Sequence, residues 1–255
     1  MRPGLRRLAC LVLGFTLLVL GGCATQQTQV DQQRLHRAGL INAQLGIDYM
    51  NSGNMQRAYD KLTLALSQYP DSSTIRYEYA LLMQRLGENA KAEENYRKSI
   101  QLNPQASYAH NNFGIFLCEQ KRYQEAQKQF EDALANPLYS RPQGAYANAG
   151  FCYINQGDYK HAKVAFEQAL KVAPGFRSAL YGLAKIAADE GDWESADKSL
   201  SRIKGQAHYW PPILALCIKV KQHLGDLVGA TQCARDLYRM FPNSPQAKAL
   251  QDGGS

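Results

Sequence analysis

The sequence lacks the residue groupings from which most active sites are built. Its five histidines, His36, His110, His161, His208 and His223, are scattered, and none stands in the H-E-x-x-H spacing that holds zinc on a helix. There is no G-x-S-x-G nucleophile elbow, no G-x-x-x-x-G-K-[ST] phosphate loop and no C-x-x-C pair. The expectation is a protein that is not an enzyme, with no bound metal and no small-molecule substrate. Ten prolines and twenty glycines are dispersed along 255 residues, which excludes collagen-like and low-complexity classes. Acidic residues are absent from the first 22 positions, which hold Arg2, Arg6 and Arg7. Without that segment the net charge falls from +7 to +4, with 26 basic against 22 acidic residues. So mild a surplus argues against nucleic acid as a partner. What remains, 45% hydrophobic and 20% charged, is an ordinary globular mixture long enough to bury a core.

The basic head is followed by Leu8 to Leu20, thirteen almost wholly apolar residues. That is short of the roughly 20 needed to span a bilayer as a helix, and reads as a secretory signal peptide. The run ends Leu20-Gly21-Gly22-Cys23, which resembles the bacterial lipobox. The resemblance implies removal of residues 1–22 and acylation of Cys23 by a diacylglycerol and an N-acyl chain, with no other cofactor. Ala24 follows the cysteine in place of the aspartate of the inner-membrane retention rule, so the implied location is the outer membrane, facing the periplasm. Residues 23–38, rich in Gln, read as a lipidated N-terminus and solvated tether that turns helical near Leu35.

Beyond the tether the chain repeats itself. Leu45-Gly46-x-x-Tyr49 matches Gly150-x-x-Tyr153, and the aligned copies start near residues 39, 73, 107, 143, 177 and 211. Four spacings are 34 and one is 36. Alanine stands at repeat position 20 six times: Ala58, Ala92, Ala126, Ala162, Ala196 and Ala230. A large side chain follows four residues later in five copies (Leu62, Tyr96, Phe130, Phe166, Leu200), and glycine occupies position 15 in five (Gly53, Gly87, Gly157, Gly191, Gly225). Pro70, Pro104, Pro174 and Pro242 share position 32. This pattern resembles the tetratricopeptide repeat. It implies an all-α protein: a right-handed superhelix of about six helix–turn–helix repeats over 39–244, followed by a C-terminal tail, 245–255. The alanine permits close helix crossing, and the large residue fills the core beneath it. Glycine closes the first helix in a left-handed conformation, and the Asn54, Asp158, Asp192 or Asp226 that follows suits the start of the second.

Outside Cys10 and Cys23, four cysteines remain: Cys118, Cys152, Cys217 and Cys233. In an oxidising compartment an even number suggests bridges, with three possible pairings. Cys118 and Cys152 fall on first helices of neighbouring repeats, and Cys217 and Cys233 on the two helices of one repeat, which favours those two pairs. The alternative is that all four are small core hydrophobes. In this family, positions 2, 5, 9 and 12 line the concave groove. The candidate lining is Leu40, Ala43, Ile47 and Met50 from the first repeat, Tyr77, Leu81 and Gln84 from the second, Tyr108, Asn111 and Ile115 from the third, and Phe151 and Ile154 from the fourth. Apolar and amide groups together suit a peptide or amphipathic helix. The fifth and sixth repeats turn polar, with Lys185, Lys219 and His223. The carboxylate clamp of chaperone-binding repeats is missing, since Ala43 and Ile47 stand where it uses Lys and Asn.

The lipobox, the six repeats, a two-residue expansion at Leu138–Pro142 and stretches such as Ala109-His110-Asn111-Asn112-Phe113-Gly114 resemble the PilF/PilW family of type IV pilus biogenesis lipoproteins. The resemblance implies a pilotin, an outer-membrane scaffold that binds secretin subunits and promotes their localisation and multimerisation. Two alternatives stay open: a repeat scaffold for barrel assembly or peptidoglycan enzymes, and a periplasmic hydrolase.

Overall fold

The computed structural model describes residues 28–203 and 210–251. The expected signal segment, 1–22, and the expected acylation site, Cys23, lie outside the described residues. Every regular element described is a helix: α1 (28–51), α2 (Met55–Gln68), α3 (Ser73–Arg85), α4 (Asn89–Leu102), α5 (Ser107–Glu119), α6 (Tyr123–Ala135), α7 (Pro142–Gln156), α8 (Tyr159–Val172), α9 (Arg177–Asp189), α10 (Trp193–Ser201), α11 (Pro211–His223), α12 (Leu227–Met240) and α13 (Pro245–Gln251). The all-α tetratricopeptide fold is therefore shown. The helices group into two compact units, one ending at Ala106 and the other beginning at Ser107.

The repeat signature has a local cause at each position. Gly53, Gly87, Gly157, Gly191 and Gly225 all take φ between 74° and 84°, a region where a Cβ would clash with its own backbone. The third repeat lacks the glycine, and Lys121 takes the same left-handed turn at φ 59°. The next helix starts on a capping side chain. Asn54 accepts from the Arg57 N–H at 3.2 Å, Asp158 from His161 at 3.1 Å, Asp192 from Ser195 at 3.0 Å and Asp226 from Gly229 at 2.8 Å. Each such cap stabilises by about 1 kcal/mol. The B helices α2, α4, α8 and α12 end two residues before Pro70, Pro104, Pro174 and Pro242, since the residue before a proline disfavours the α region.

In the first unit, α2 packs on α1 and α3, and α3 on α4. Ala58, Leu62, Ala92 and Tyr96 are wholly buried. A Cβ added at Gly46 would meet Leu62 at 2.6 Å, so that glycine lets α1 approach α2 closely. The second unit repeats this with aromatic rings. Phe130 lies against Gly114 and Phe166 against Gly150, each within 2.7 Å of where a Cβ would stand. Cys118 is bonded to Cys152, joining α5 to α7 with Cα atoms 5.8 Å apart, and Cys217 is bonded to Cys233, joining α11 to α12 at 6.2 Å.

Two segments differ from the reading of the sequence. Residues 28–38 are helical throughout the described part of the tether, not only from Leu35. The stretch holds no proline, its one glycine-free run is continuous with an established helix, and propagation needs no new nucleus. The C-terminal segment is not all tail: Pro245–Gln251 forms α13, whose Ala247 is fully buried against Leu214, Ile218 and Leu237. This helix covers the end of the last repeat, as terminal caps do in solenoids. The expansion after α6 makes a loop in which Tyr139 is buried edge-on against Tyr108, with ring centroids 5.3 Å apart, while Leu138 stands 88% exposed.

Candidate partner-binding face

In the first unit the candidate face is formed by α1 and α3. Leu40 is 48% exposed, and Ile47, Tyr77, Leu81 and Gln84 are half-buried, so their apolar surface remains open. Gln84 is fixed by the Tyr96 hydroxyl, which donates to its Oε1 at 2.7 Å. Ala43 and Met50, expected on this face, belong to the core. With Gly39 and Gly46 they form the stripe of α1 at spacings of three and four that lies toward α2, so no groove ligand reaches them.

The same surface carries a group that the sequence did not single out as functional. Glu78 lies one turn before Leu81 on α3 and is half-buried. Burial pushes its carboxyl up to about 7, against the opposing pull of the Arg85 guanidinium. Its folded form keeps a proton that the unfolded chain releases, so its contribution falls as pH rises from about 4.5 to about 7. Relative to the parent, Glu78→Gln should be neutral at pH 4.5 and stabilising at pH 8, by at most about 3 kcal/mol. Urea midpoints of both proteins at the two pH values check this. A difference that does not change with pH would rule it out.

In the second unit Tyr108, Ile115, Phe151 and Ile154 supply the corresponding surface from α5 and α7. Tyr108 is 46% exposed. Phe151 is only half-open, because its ring stands edge-on to Phe166 at 5.0 Å and 6.3 Å from Tyr181. Asn111 does not line a groove. It is 8% exposed and accepts from Asn148 Nδ2 at 3.0 Å, a polar link between α5 and α7. His110 is buried, with Nδ1 2.8 Å from Gln129 Oε1, and His161 lies 2.6 Å from the capping carboxylate of Asp158. Among the described residues no three His, Cys, Asp or Glu side chains converge as a metal site. None of the described helices is long and apolar enough to cross a membrane.

The arrangement offers apolar and aromatic side chains with a few fixed amides, the chemistry of a peptide-binding surface. Exposed Leu and Ile on these helices were legible from repeat position; the burial of Asn111 was not, because it depends on a partner 37 residues away.

Comparison with known proteins places this geometry. Family profiles described as tetratricopeptide repeat match residues 44–107, 95–128 and 153–217, together more than half the chain. The type IV pilus assembly protein PilF of Pseudomonas aeruginosa is 28% identical over 244 residues, covering 94% of this chain and 96% of that protein. At that identity it is a relative and not the same protein. A crystal structure of PilW, described as a widely conserved type IV pilus biogenesis factor, superimposes with a TM-score of 0.72 at 28% identity, covering 84% of this chain and 98% of PilW. The solved structure of Pseudomonas aeruginosa PilF gives 0.71 at 26% identity, covering 86% and 99%. The chain thus belongs to the tetratricopeptide-repeat family, and within it is similar along nearly its whole length to the type IV pilus biogenesis proteins PilF and PilW.

Proposed function

We propose that this protein is a pilotin of type IV pilus biogenesis: a scaffold, not an enzyme, held in the outer membrane by acyl chains on Cys23 and facing the periplasm. Its apolar face on α1 and α3 captures a segment of the pilus secretin. The observation that carries this reading is the likeness to PilF and PilW over nearly the full length of all three chains. The open surface of Leu40, Ile47 and Leu81 supports it, because capture of a peptide needs apolar area that is not already packed.

The mechanism is physical rather than chemical. Each acyl methylene placed in the bilayer contributes about 0.8 kcal/mol, and two or more chains make anchoring stable. A secretin subunit held by the scaffold is carried to the same membrane. There its local concentration rises toward the millimolar range, which favours the ring without any new contact between subunits.

Membrane fractions from cells with and without the protein, blotted for secretin in unboiled samples, test the proposal. Loss of the ring, or its retention in the inner membrane, is expected without the protein and with Cys23→Ala. Ile47→Asp with Leu81→Asp should weaken secretin capture by tenfold or more while leaving helicity unchanged, since a carboxylate on an apolar contact must be desolvated. Rings that form normally at the outer membrane in the absence of the protein would remove the pilotin reading.

A further inference from the structure

The start of the first unit leaves open a seam that the later repeats close. Repeat position 3 is apolar in all six copies. Ile75, Ala109, Ala145, Ala179 and Ile213 are buried there, whereas Ile41 is 57% exposed. The cause is topological. Helices α3, α7, α9 and α11 pack against the second helix of the repeat before them, α2, α6, α8 and α10. The sequence holds no repeat before α1. We propose that this seam is covered by a phospholipid surface. α1 lies along the bilayer with Val30, Ile41 and Leu45 toward the acyl region and Arg34 and Arg37 at the phosphates. The inference rests on acylation of Cys23, part of the function proposed above, and makes no use of the partner-binding face.

The surface is continuous along the helix. At about 100° per residue, Val30, Arg34, Arg37, Ile41 and Leu45 fall within one sector of about 80°. All five are exposed. The sector points away from Gly39, Ala43, Gly46 and Met50, the side that α2 covers, and it excludes Leu40 and Ile47. Arginine suits a headgroup layer, because its planar fork matches phosphate and its stem lies along apolar surface. Arg34 meets Asp31 at 3.7 Å with both side chains in solvent, a weak pair that a phosphate can replace. Asp48, the acid of the same sector, stands beyond Leu45 at the end farthest from Cys23, where it accepts from Gln44 at 3.0 Å.

The position of Cys23 selects the occupant. Residue 28 follows it by five residues, a reach of at most about 18 Å for any chain. A bilayer that holds acyl chains at Cys23 therefore lies within that distance of the first turn of α1. A solenoid end left to water is ordinarily polar, and the other end of this one is covered by α13. The end nearest the anchor is instead apolar and basic, the composition of an interfacial helix. Little intrinsic affinity is needed, because a short tether holds the seam at an effective concentration near the millimolar range.

The test uses the chain purified from membranes and reconstituted in phosphatidylcholine vesicles with about one quarter phosphatidylglycerol. Flotation with the vesicles reports the anchor. A nitrobenzoxadiazole label on Ile41→Cys reports the seam, through its emission colour and its quenching by lipid bearing a nitroxide near the carbonyl end of the acyl chain. The label should be blue-shifted and quenched several-fold more than the same label on Ser67→Cys. Ser67 is exposed on α2 opposite the buried Ala58, Leu62 and Ala65. Arg34→Glu with Arg37→Glu should cut the quenching at position 41 by roughly fivefold, with flotation and helicity unchanged. Equally weak quenching at both positions in protein that floats would overturn the proposal and leave the anchor standing. Full quenching at position 41 in the double arginine variant would also overturn it. So would a blue-shifted label at position 41 that lipid does not quench, the mark of a second protein chain over the seam. Protein that does not float would remove the acyl anchor and this inference with it.

Discussion

Phe166→Ala is expected to cost about 3–5 kcal/mol of stability, the range for removing a fully buried ring. The ring has no exposed surface and sits among Ala147, Ala162, Ala169, Ala179 and Ile186, so it is shared by α7, α8 and α9. Gly150 and Gly182 approach it so closely that neither could carry a side chain without displacing it. Two backbones held apart by one ring cannot close the resulting void without moving a whole helix, which places the cost toward the upper end. At roughly 2–4 °C per kcal/mol for a unit of this size, the thermal midpoint should drop by about 10–15 °C. Circular dichroism melts would check it. A loss below about 1 kcal/mol would mean that the helices collapse onto the gap and that the ring is not the spacer described here. Phe151, edge-on to the same ring, would lose its support, so the variant should also loosen the open face of the second unit.

Reduction of the two disulfides should have an effect of similar or larger size. The loops they close span 34 and 16 residues. The chain-entropy account gives about 4 and about 3 kcal/mol respectively, through restriction of the unfolded chain. A reducing agent should therefore lower the unfolding midpoint strongly, and the Cys118→Ala, Cys152→Ala pair should account for the larger share. Peptide mapping under non-reducing conditions should recover the Cys118 and Cys152 peptides linked, and likewise those of Cys217 and Cys233. Four reactive thiols at these positions in the denatured, unreduced protein would remove the prediction.

Much of the fold was legible because its determinants are local. A glycine that must turn left-handed, an Asn or Asp that must cap, an alanine followed four residues later by a ring: each needs only its own segment, so each survives in the sequence. Lys121 shows the limit, since the turn forms there without its glycine. What was not legible depends on distant neighbours. Met50 and Ala43 look like groove residues by position, yet the stripe of α1 that α2 covers includes them. Asn111 looks like a ligand-binding amide until Asn148 is placed beside it. Nothing in the sequence marks Glu78, and only the packing around α3 makes it a group that holds its proton near neutrality. The seven residues of α13 are too few to announce a helix, and a single buried alanine secures them.

The opening of α1 has a mechanical meaning. Residues 28–35 are all exposed, and His36 is stacked on Tyr69 with ring centroids 3.8 Å apart. These eight residues rise about 12 Å as a helix. As a flexible coil they would have a root-mean-square span of about 16 Å with wide fluctuation. The mean reach is thus somewhat shorter, but its variance nearly vanishes. Whatever grips the helix at its first described turn, residues 28–31, also sets the orientation of the first repeat about the helix axis. Each residue inserted into or removed from this stalk would swing that repeat by about 100° and shift it by about 1.5 Å. It acts as a keyed shaft where a string would leave the domain free to spin.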